Sequence, residues 1–412
     1  MSGSDLSARK TELKRPVKID VINGWRGFAV LAVLAVHSFA RMPPEQLGWL
    51  TYVLKSGWVG VNMFFIASGF VLYLPYALKE RTIWCLRDAF LFLVHRANRL
   101  VPLCFIGSFV AFVMFDPPPV TEHHFWFMVA NFPLATFSWI AGYNVFNGNG
   151  ALWSISVEFV LSAIFPLLVV AVYRFRLINV FAVIFAMWIA HRMLLSHPAH
   201  DPIPIILNKF GLSWFGMFAG DVVGISLIEF LIGMAFAELY AGRRYAVHFG
   251  RWSLILFLLG LGFIVLFFNL FWKTYGAGFD PHFPRSTSDA LIIPILHLGL
   301  AMLFAGVLWA TERSLLYRVF SNWPIQIIGL MCYSLYIWHP PLLTKLGNPL
   351  GVTAHVFAPT LAIIFIFAAV SYRYIEFPKR KASELFLLNR LLNNGWLQRE
   401  MIIKSPSHDK RR

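Results

Sequence analysis

Apolar runs of span length recur along the whole of this chain, and that recurrence excludes most folds before any motif is read. About twenty residues of helix, rising 1.5 Å each, cover the roughly 30 Å hydrocarbon core of a bilayer. Such stretches lie near residues 21–40, 58–78, 100–115, 152–173, 180–195, 222–240, 253–272, 290–310, 325–343 and 355–374. The expected fold is therefore all-α, a polytopic transmembrane helical bundle of about ten spans. Composition agrees. Hydrophobic residues make up 58% of the chain and charged residues 13%, against about 45–50% and 25% in a soluble domain. The stretch 125–140 is shorter and interrupted by Pro133, so it is expected to be re-entrant or interfacial.

Lysine and arginine positions test this map independently, because cytoplasmic loops carry the excess of both. The N-terminal segment holds Arg9, Lys10, Lys14, Arg15 and Lys18. Alternate loops hold Lys79, Arg81, Arg87, Arg96 and Arg99, then Arg174 and Arg176, then Arg243, Arg244 and Arg251, then Arg313 and Arg318. The tail beyond Tyr374 adds nine more, from Lys379 to Arg412. The remaining loops carry few, and residues 116–150 carry none. Both termini are thus expected in the cytoplasm, with an integral, multi-pass location in the cytoplasmic membrane. The same bias accounts for most of the net charge of +15. A basic skin against anionic membrane lipids explains that charge without nucleic acid.

The first apolar run is too long for a signal h-region and lacks a small-residue cleavage site, so it reads as a retained anchor. Cys85, Cys104 and Cys332 form no CxxC or zinc pattern, and none is assigned to an external loop. No metal and no structural disulfide are expected. Residues 383–403 have apolar positions suited to an interfacial helix, weakened by Gly395.

Polar residues inside the spans carry the chemistry. Arg26 and His37 lie eleven positions apart in the first span. Eleven steps of ~100° return to within ~20°, so the two share a face about 16 Å apart along the axis. A cation and an imidazole on one stripe of an apolar helix face a partner or a cavity rather than lipid. The spacing suits a long ligand with an anion at one end and a reactive group at the other. Glu158 lies one to two turns inside the fourth span and shares a face with Ser154, four residues earlier, next to Trp153. On the expected topology His37 and Glu158 reach similar depth in the outer half, where a carboxylate can hold an imidazole in its basic tautomer. Arg96 and Arg99, at the cytoplasmic boundary, suit a phosphate clamp, because guanidinium groups match phosphate oxygens bidentately. Asn62 and Ser68 in the second span, Trp153 and Ser154 in the fourth, and Tyr336 and His339 in the ninth, are candidates for lining the acceptor path.

Six segments then carry a resemblance. "NGWRGFAVLAVLAVH", "GWVGVNMFFIASGF", "HRANRLVP", "ALWSISVEF", "YSLYIWHPP" and "YRYIEFPKRK" resemble, in order, the motifs of the acyltransferase-3 family of membrane acyltransferases. The resemblance implies a ten-span fold, an acyl-coenzyme A donor (acetyl-CoA or a longer acyl thioester) from the cytoplasm, and an acceptor that is often a sugar hydroxyl. It implies roles for Arg26, His37, Arg96, Arg99 and Glu158. It divides the chain into a basic N-terminal segment 1–20, a transmembrane acyltransferase domain 21–376 and a basic cytoplasmic tail 377–412. The chain departs from the pattern at Asn62, where an acidic residue is usual, and at His95, which stands for an arginine. The expectation is an O-acyltransferase acting on a cell-surface or exported glycan or a lipid-linked saccharide. In it Arg26, Arg96 and Arg99 bind the donor phosphates, and Glu158 orients His37, which acts as general base or transiently carries the acyl group. The rival is a secondary transporter with a His/Glu/Arg relay, against which stands the absence of paired halves with matching broken helices.

Overall fold

The computed structural model describes residues 19–39, 48, 50–114, 149, 152–195, 224–242, 246–275, 289–346 and 354–377. Among these every regular element is helical. In chain order they are α1 (Ile19–Phe39), α2 (Leu50–Lys55), α3 (Val59–Ala77), α4 (Leu86–Met114), α5 (Leu152–Phe175), α6 (Leu177–Leu195), α7 (Gly224–Gly242), α8 (Ala246–Tyr275), α9 (Asp289–Leu308), α10 (Leu315–Ser321), α11 (Trp323–Leu330), α12 (Cys332–Leu346) and α13 (Ala354–Ser371). A π-helical turn, Tyr372–Glu376, closes the last. The basic N-terminal segment up to residue 18, the stretch 125–140 and the tail beyond residue 377 lie outside the described residues.

Helix is the only economical conformation for these runs in lipid, because it satisfies each backbone N–H and C=O within the segment. Among the described residues seven helices are long and apolar enough to cross a membrane, and Leu177–Ala190 and Ile292–Leu308 are shorter apolar helices. Over its described residues each of the ten expected stretches is mainly helical, but the ninth is not one rod. It breaks at Met331 into α11 and α12, with Met331 at φ −89° and ψ 9°. Two short capped helices, α10 and α11, precede the break; Ser314 and Asn322 accept from the backbone N–H of Tyr317 and Ile325. Such caps supply the bonds that helix ends otherwise lack.

The centre of the bundle is α1. Its Val21, Trp25, Ala29 and Val33 are buried, and it packs against α3, α9, α10, α11 and α12. Trp25 donates its indole N–H to the Met63 carbonyl at 2.9 Å, and its ring meets Phe304 and Phe320. Close approach elsewhere depends on glycine. A Cβ on Gly69 of α3 would sit 1.9 Å from the Phe230 carbonyl oxygen, and one on Gly233 of α7 would sit 2.1 Å from that of Ile66. Small residues of this kind let helix backbones touch in a membrane, where apolar side chains alone give no preference for helix over lipid. The outer helix α8 packs on α9 and leaves Leu254, Ile255, Leu258, Leu259 and Val265 exposed. An apolar face of that extent suits lipid rather than water.

Candidate active site

Five helices converge on one cavity of about 800 Å³, open mouth included. Arg26 comes from α1, Ser68 from α3, Arg96 and Arg99 from α4, Ser154 and Glu158 from α5, and Tyr333 and Tyr336 from α12. Phe64, Phe65, Val71, Leu72 and Ile155 supply apolar walls. The predominantly apolar lining with a few convergent charges is the usual make-up of a small-molecule site.

The charged groups form one cluster rather than two. Arg96 donates to the Glu158 carboxylate through Nη2, and its Nε lies 3.2 Å from the Ser162 hydroxyl. The arginines and Glu158 had been assigned to different depths, a cytoplasmic mouth and an outer centre. The structure corrects that assignment: the long, continuous α4 carries Arg96 down to the level of Glu158. Burying a guanidinium and a carboxylate is costly for each alone, and pairing offsets the cost. Arg26 lines the cavity together with Cys332, at the start of α12. Arg99 lies over the Phe377 ring, 5.9 Å from its centroid, and its Nε has no partner among the described residues. Glu376 accepts from the Ser334 hydroxyl and lies within the electrostatic reach of Arg99 and Arg26. Three guanidinium groups thus face two carboxyl groups, which leaves the cluster at least one positive charge in excess.

His37 is held by a residue other than the expected one. Its Nδ1 lies 2.9 Å from the Val33 carbonyl and 3.2 Å from Nε2 of His339. His339 is fully buried, and its own Nδ1 lies 3.2 Å from the Leu335 carbonyl. Carbonyls only accept, so each Nδ1 is the protonated nitrogen. The Nε2 lone pair of His339 then receives the Nδ1–H of His37. The His37 ring is left with Nε2 as its basic atom, on a residue that is exposed as a whole. No His37–Glu158 bond exists among the described residues; Arg96 occupies the carboxylate.

A polar thread joins the two parts. The Ser154 and Tyr336 hydroxyls are 2.6 Å apart at the cavity wall. Tyr336 meets His339 edge-on, ring centroids 5.4 Å apart, and His339 meets His37 at 4.9 Å. Tyr336 and His339 share a face of α12 because they are three residues apart. That spacing was readable in "YSLYIWHPP"; what it would touch was not. The other candidates divide. Ser68 lines the cavity. Trp153 packs on the core next to Ser154 and does not line it. Asn62 turns the other way and donates its amide to Glu229 at 2.6 Å. The sequence pattern assigned no site role to Cys332 or Glu376. Glu376 stood in "YRYIEFPKRK", a lone acid among apolar and basic neighbours. No group of three or more His, Cys, Asp or Glu suited to a metal occurs among the described residues.

Fold and site together define a membrane-embedded helical protein with an arginine-lined cavity and, outside its lining, a histidine pair that meets the cavity residue Tyr336. A family model described as an acyltransferase domain, Acyl_transf_3, matches residues 19–372. The chain belongs to that family. It is 25% identical over 385 residues to the peptidoglycan O-acetyltransferase OatA of Listeria monocytogenes, which covers 87% of this chain and 55% of that protein. Over 400 residues it is 23% identical to the O-acetyltransferase OatA of Staphylococcus aureus (strain NCTC 8325 / PS 47), covering 90% and 59%. Over 391 residues it is 25% identical to the putative peptidoglycan O-acetyltransferase YrhL of Bacillus subtilis, covering 87% and 54%. The chain therefore spans little more than half the length of these curated relatives. No solved structure matches it.

Proposed function

We propose that this protein is a membrane O-acyltransferase that moves an acetyl group from coenzyme A to a hydroxyl of a cell-surface glycan. The names of the relatives favour peptidoglycan as the acceptor. The observation that carries the reading is the cavity in which Arg26, Arg96 and Arg99 meet with at least one positive charge unbalanced. A phosphate-bearing donor supplies the missing anion, and guanidinium groups suit it better than ammonium groups would. From Arg26 an extended arm running along α1 reaches His37 about 16 Å away. That route passes the cavity wall formed by Ser154 and Tyr336.

The chemistry balances without a further reactant. His37 Nε2 takes the proton of the acceptor hydroxyl as its oxygen attacks the thioester carbonyl. The C–S bond breaks, and the leaving thiolate takes that proton from the His37 imidazolium, which returns the ring to its neutral form. His339 fixes the His37 tautomer and accepts its Nδ1–H as charge develops on the ring. General base catalysis of this kind contributes roughly 10²–10⁴-fold.

Two assays test the reading. Purified protein in lipid should consume acetyl-coenzyme A when supplied with muropeptide acceptors and release free thiol; failure to do so with an acceptor series would remove it. Coenzyme A titrations should also weaken about ten- to a hundredfold for Arg26→Ala and Arg99→Ala, the value of a lost charged hydrogen bond of ~1.5–3 kcal/mol. Unchanged affinity in both would assign these arginines to packing. The break between α11 and α12 at the cavity wall favours a second reading, since broken helices line transporter sites. Binding of coenzyme A without thiol release would support that alternative.

A further inference from the structure

A second buried polar cluster lies between α3, α6, α7 and α9, apart from the acyl-transfer cavity. Glu229 of α7 is fully buried, and Asn62, Trp188 and His297 are each at least nine-tenths buried. The Asn62 amide donates to Glu229 Oε1 at 2.6 Å. His297 Nε2 stands 3.5 Å from the same oxygen, and the Trp188 ring lies 6.0 Å from the His297 ring. Four polar atoms here have no hydrogen-bond partner among the described residues: Glu229 Oε2, both ring nitrogens of His297 and Trp188 Nε1. None of these groups lines the cavity that holds the arginines.

Two arguments bear on what the cluster binds. The first is charge. Glu229 and His297 are the ionisable groups here; Asn62 and Trp188 carry none, nor does Ser226, one turn before Glu229. An unpaired charge in a low-dielectric interior is far more costly than a neutral pair. With no proton the Glu–His pair is negative, with two it is positive, and with one it is neutral whichever group holds it. The second is hydrogen bonding. Buried polar atoms are normally satisfied by protein or ordered water, at roughly 1–3 kcal/mol for each one left bare. Trp188 can only donate, and Glu229 Oε2 accepts, so a molecule that does both completes the set. Water alone is small enough for a cluster packed this closely, and it has two donors and two acceptors.

We propose that Asn62, Trp188, Glu229 and His297 enclose a second, hydrated site that retains one proton and at least one water molecule within the bundle. It ties α3 to α7 and α9 on the side of α3 opposite its cavity-lining residues Phe64 and Val71.

Histidine-selective ¹⁵N labelling of the whole protein in lipid nanodiscs tests the proton. Signals of His297 are identified by their loss in His297→Gln, or in Glu229→Gln/His297→Gln should the single variant fail to fold. They are expected to differ in position between the wild type and Glu229→Gln, because the amide can no longer share the proton with the imidazole. Identical His297 signals in the two proteins would overturn the proposal. Magnetisation transfer from water to the Trp188 indole N–H tests the second ligand; its absence would remove the water. Thermal unfolding gives an independent reading. Each single variant should melt lower than the wild type, and the double variant should recover most of the loss. Additive losses would mean that the two groups share nothing.

Discussion

At the scale of single residues, the decisive contact is between two histidines rather than between a histidine and a glutamate. If His339 sets the His37 tautomer, His37→Ala should abolish transfer while leaving coenzyme A binding intact. His339→Ala should lower turnover severely with little change in donor affinity. Residues that act as one unit are not additive, so the double variant should lose no more than His37→Ala alone. Steady-state rates on membranes of matched protein content decide this, and multiplicative losses would break the coupling. Glu158 has a different consequence. Its carboxylate neutralises buried Arg96, so Glu158→Gln leaves an unpaired guanidinium, a loss of about 3–5 kcal/mol where a buried pair is broken. The expected outcome is a lower melting temperature and altered donor affinity, with partial recovery of the melting temperature in Glu158→Gln/Arg96→Met. A variant that kept full stability and lost only turnover would return Glu158 to the role of imidazole partner. Residue types were legible in the sequence: an arginine, a histidine or a glutamate inside an apolar run marks function because lipid excludes it. Their pairing was not. Depth estimated from loop charges has an uncertainty of more than a helical turn, and α4 enters the bundle ten residues before Arg96.

At the scale of helices, contacts between backbones carry specificity that hydropathy does not encode. Gly69 and Gly233 place α3 and α7 within touching distance, and the same pair of helices carries Asn62 and Glu229. Gly233→Val would drive methyl groups into the Ile66 carbonyl and the Phe70 amide. Overpacking typically costs ~1–3 kcal/mol, and backbone cannot yield as a side chain can. Detergent-solubilised Gly233→Val should therefore melt several degrees lower, whereas Gly262→Ala, on α8 with open space around it, should melt as the wild type does. Equal melting temperatures for both would mean that α3 and α7 are not locked at this contact. The helical stretches themselves followed from hydropathy, because a twenty-residue apolar run has few alternatives to helix. The break at Met331 did not, since the segment "IQIIGLMCYSLYIW" is continuously apolar enough to read as one span. The capped starts at Ser314 and Asn322 were visible residue by residue, but hydropathy averages over them.

At the scale of the whole molecule, orientation turns the site into a route. The proposed transfer, from a cytoplasmic donor to an acceptor outside, requires Arg26 to face inward of His37 along α1. The order Arg26, then His37 on a helix leaving the basic N-terminal side satisfies this. The chain offers its own test. Cys85 is exposed, whereas Cys104 and Cys332 are buried, so a thiol reagent reads essentially one position. Cys85 precedes α4 in a segment with Lys79, Arg81 and Arg87, which the charge bias assigns to the cytoplasm. Thr274, exposed near the end of α8, is assigned to the opposite face. In intact cells an impermeant maleimide should leave the wild type unlabelled and should mark Thr274→Cys. After permeabilisation Cys85 should react in both, and in Cys85→Ser the remaining signal should be that of Thr274→Cys alone. The reverse pattern, with Cys85 labelled from outside and Thr274→Cys silent until the membrane is opened, would invert α1. The arginine cluster would then face the acceptor side, His37 would face the donor, and the route from coenzyme A to a surface hydroxyl would fail on geometry alone.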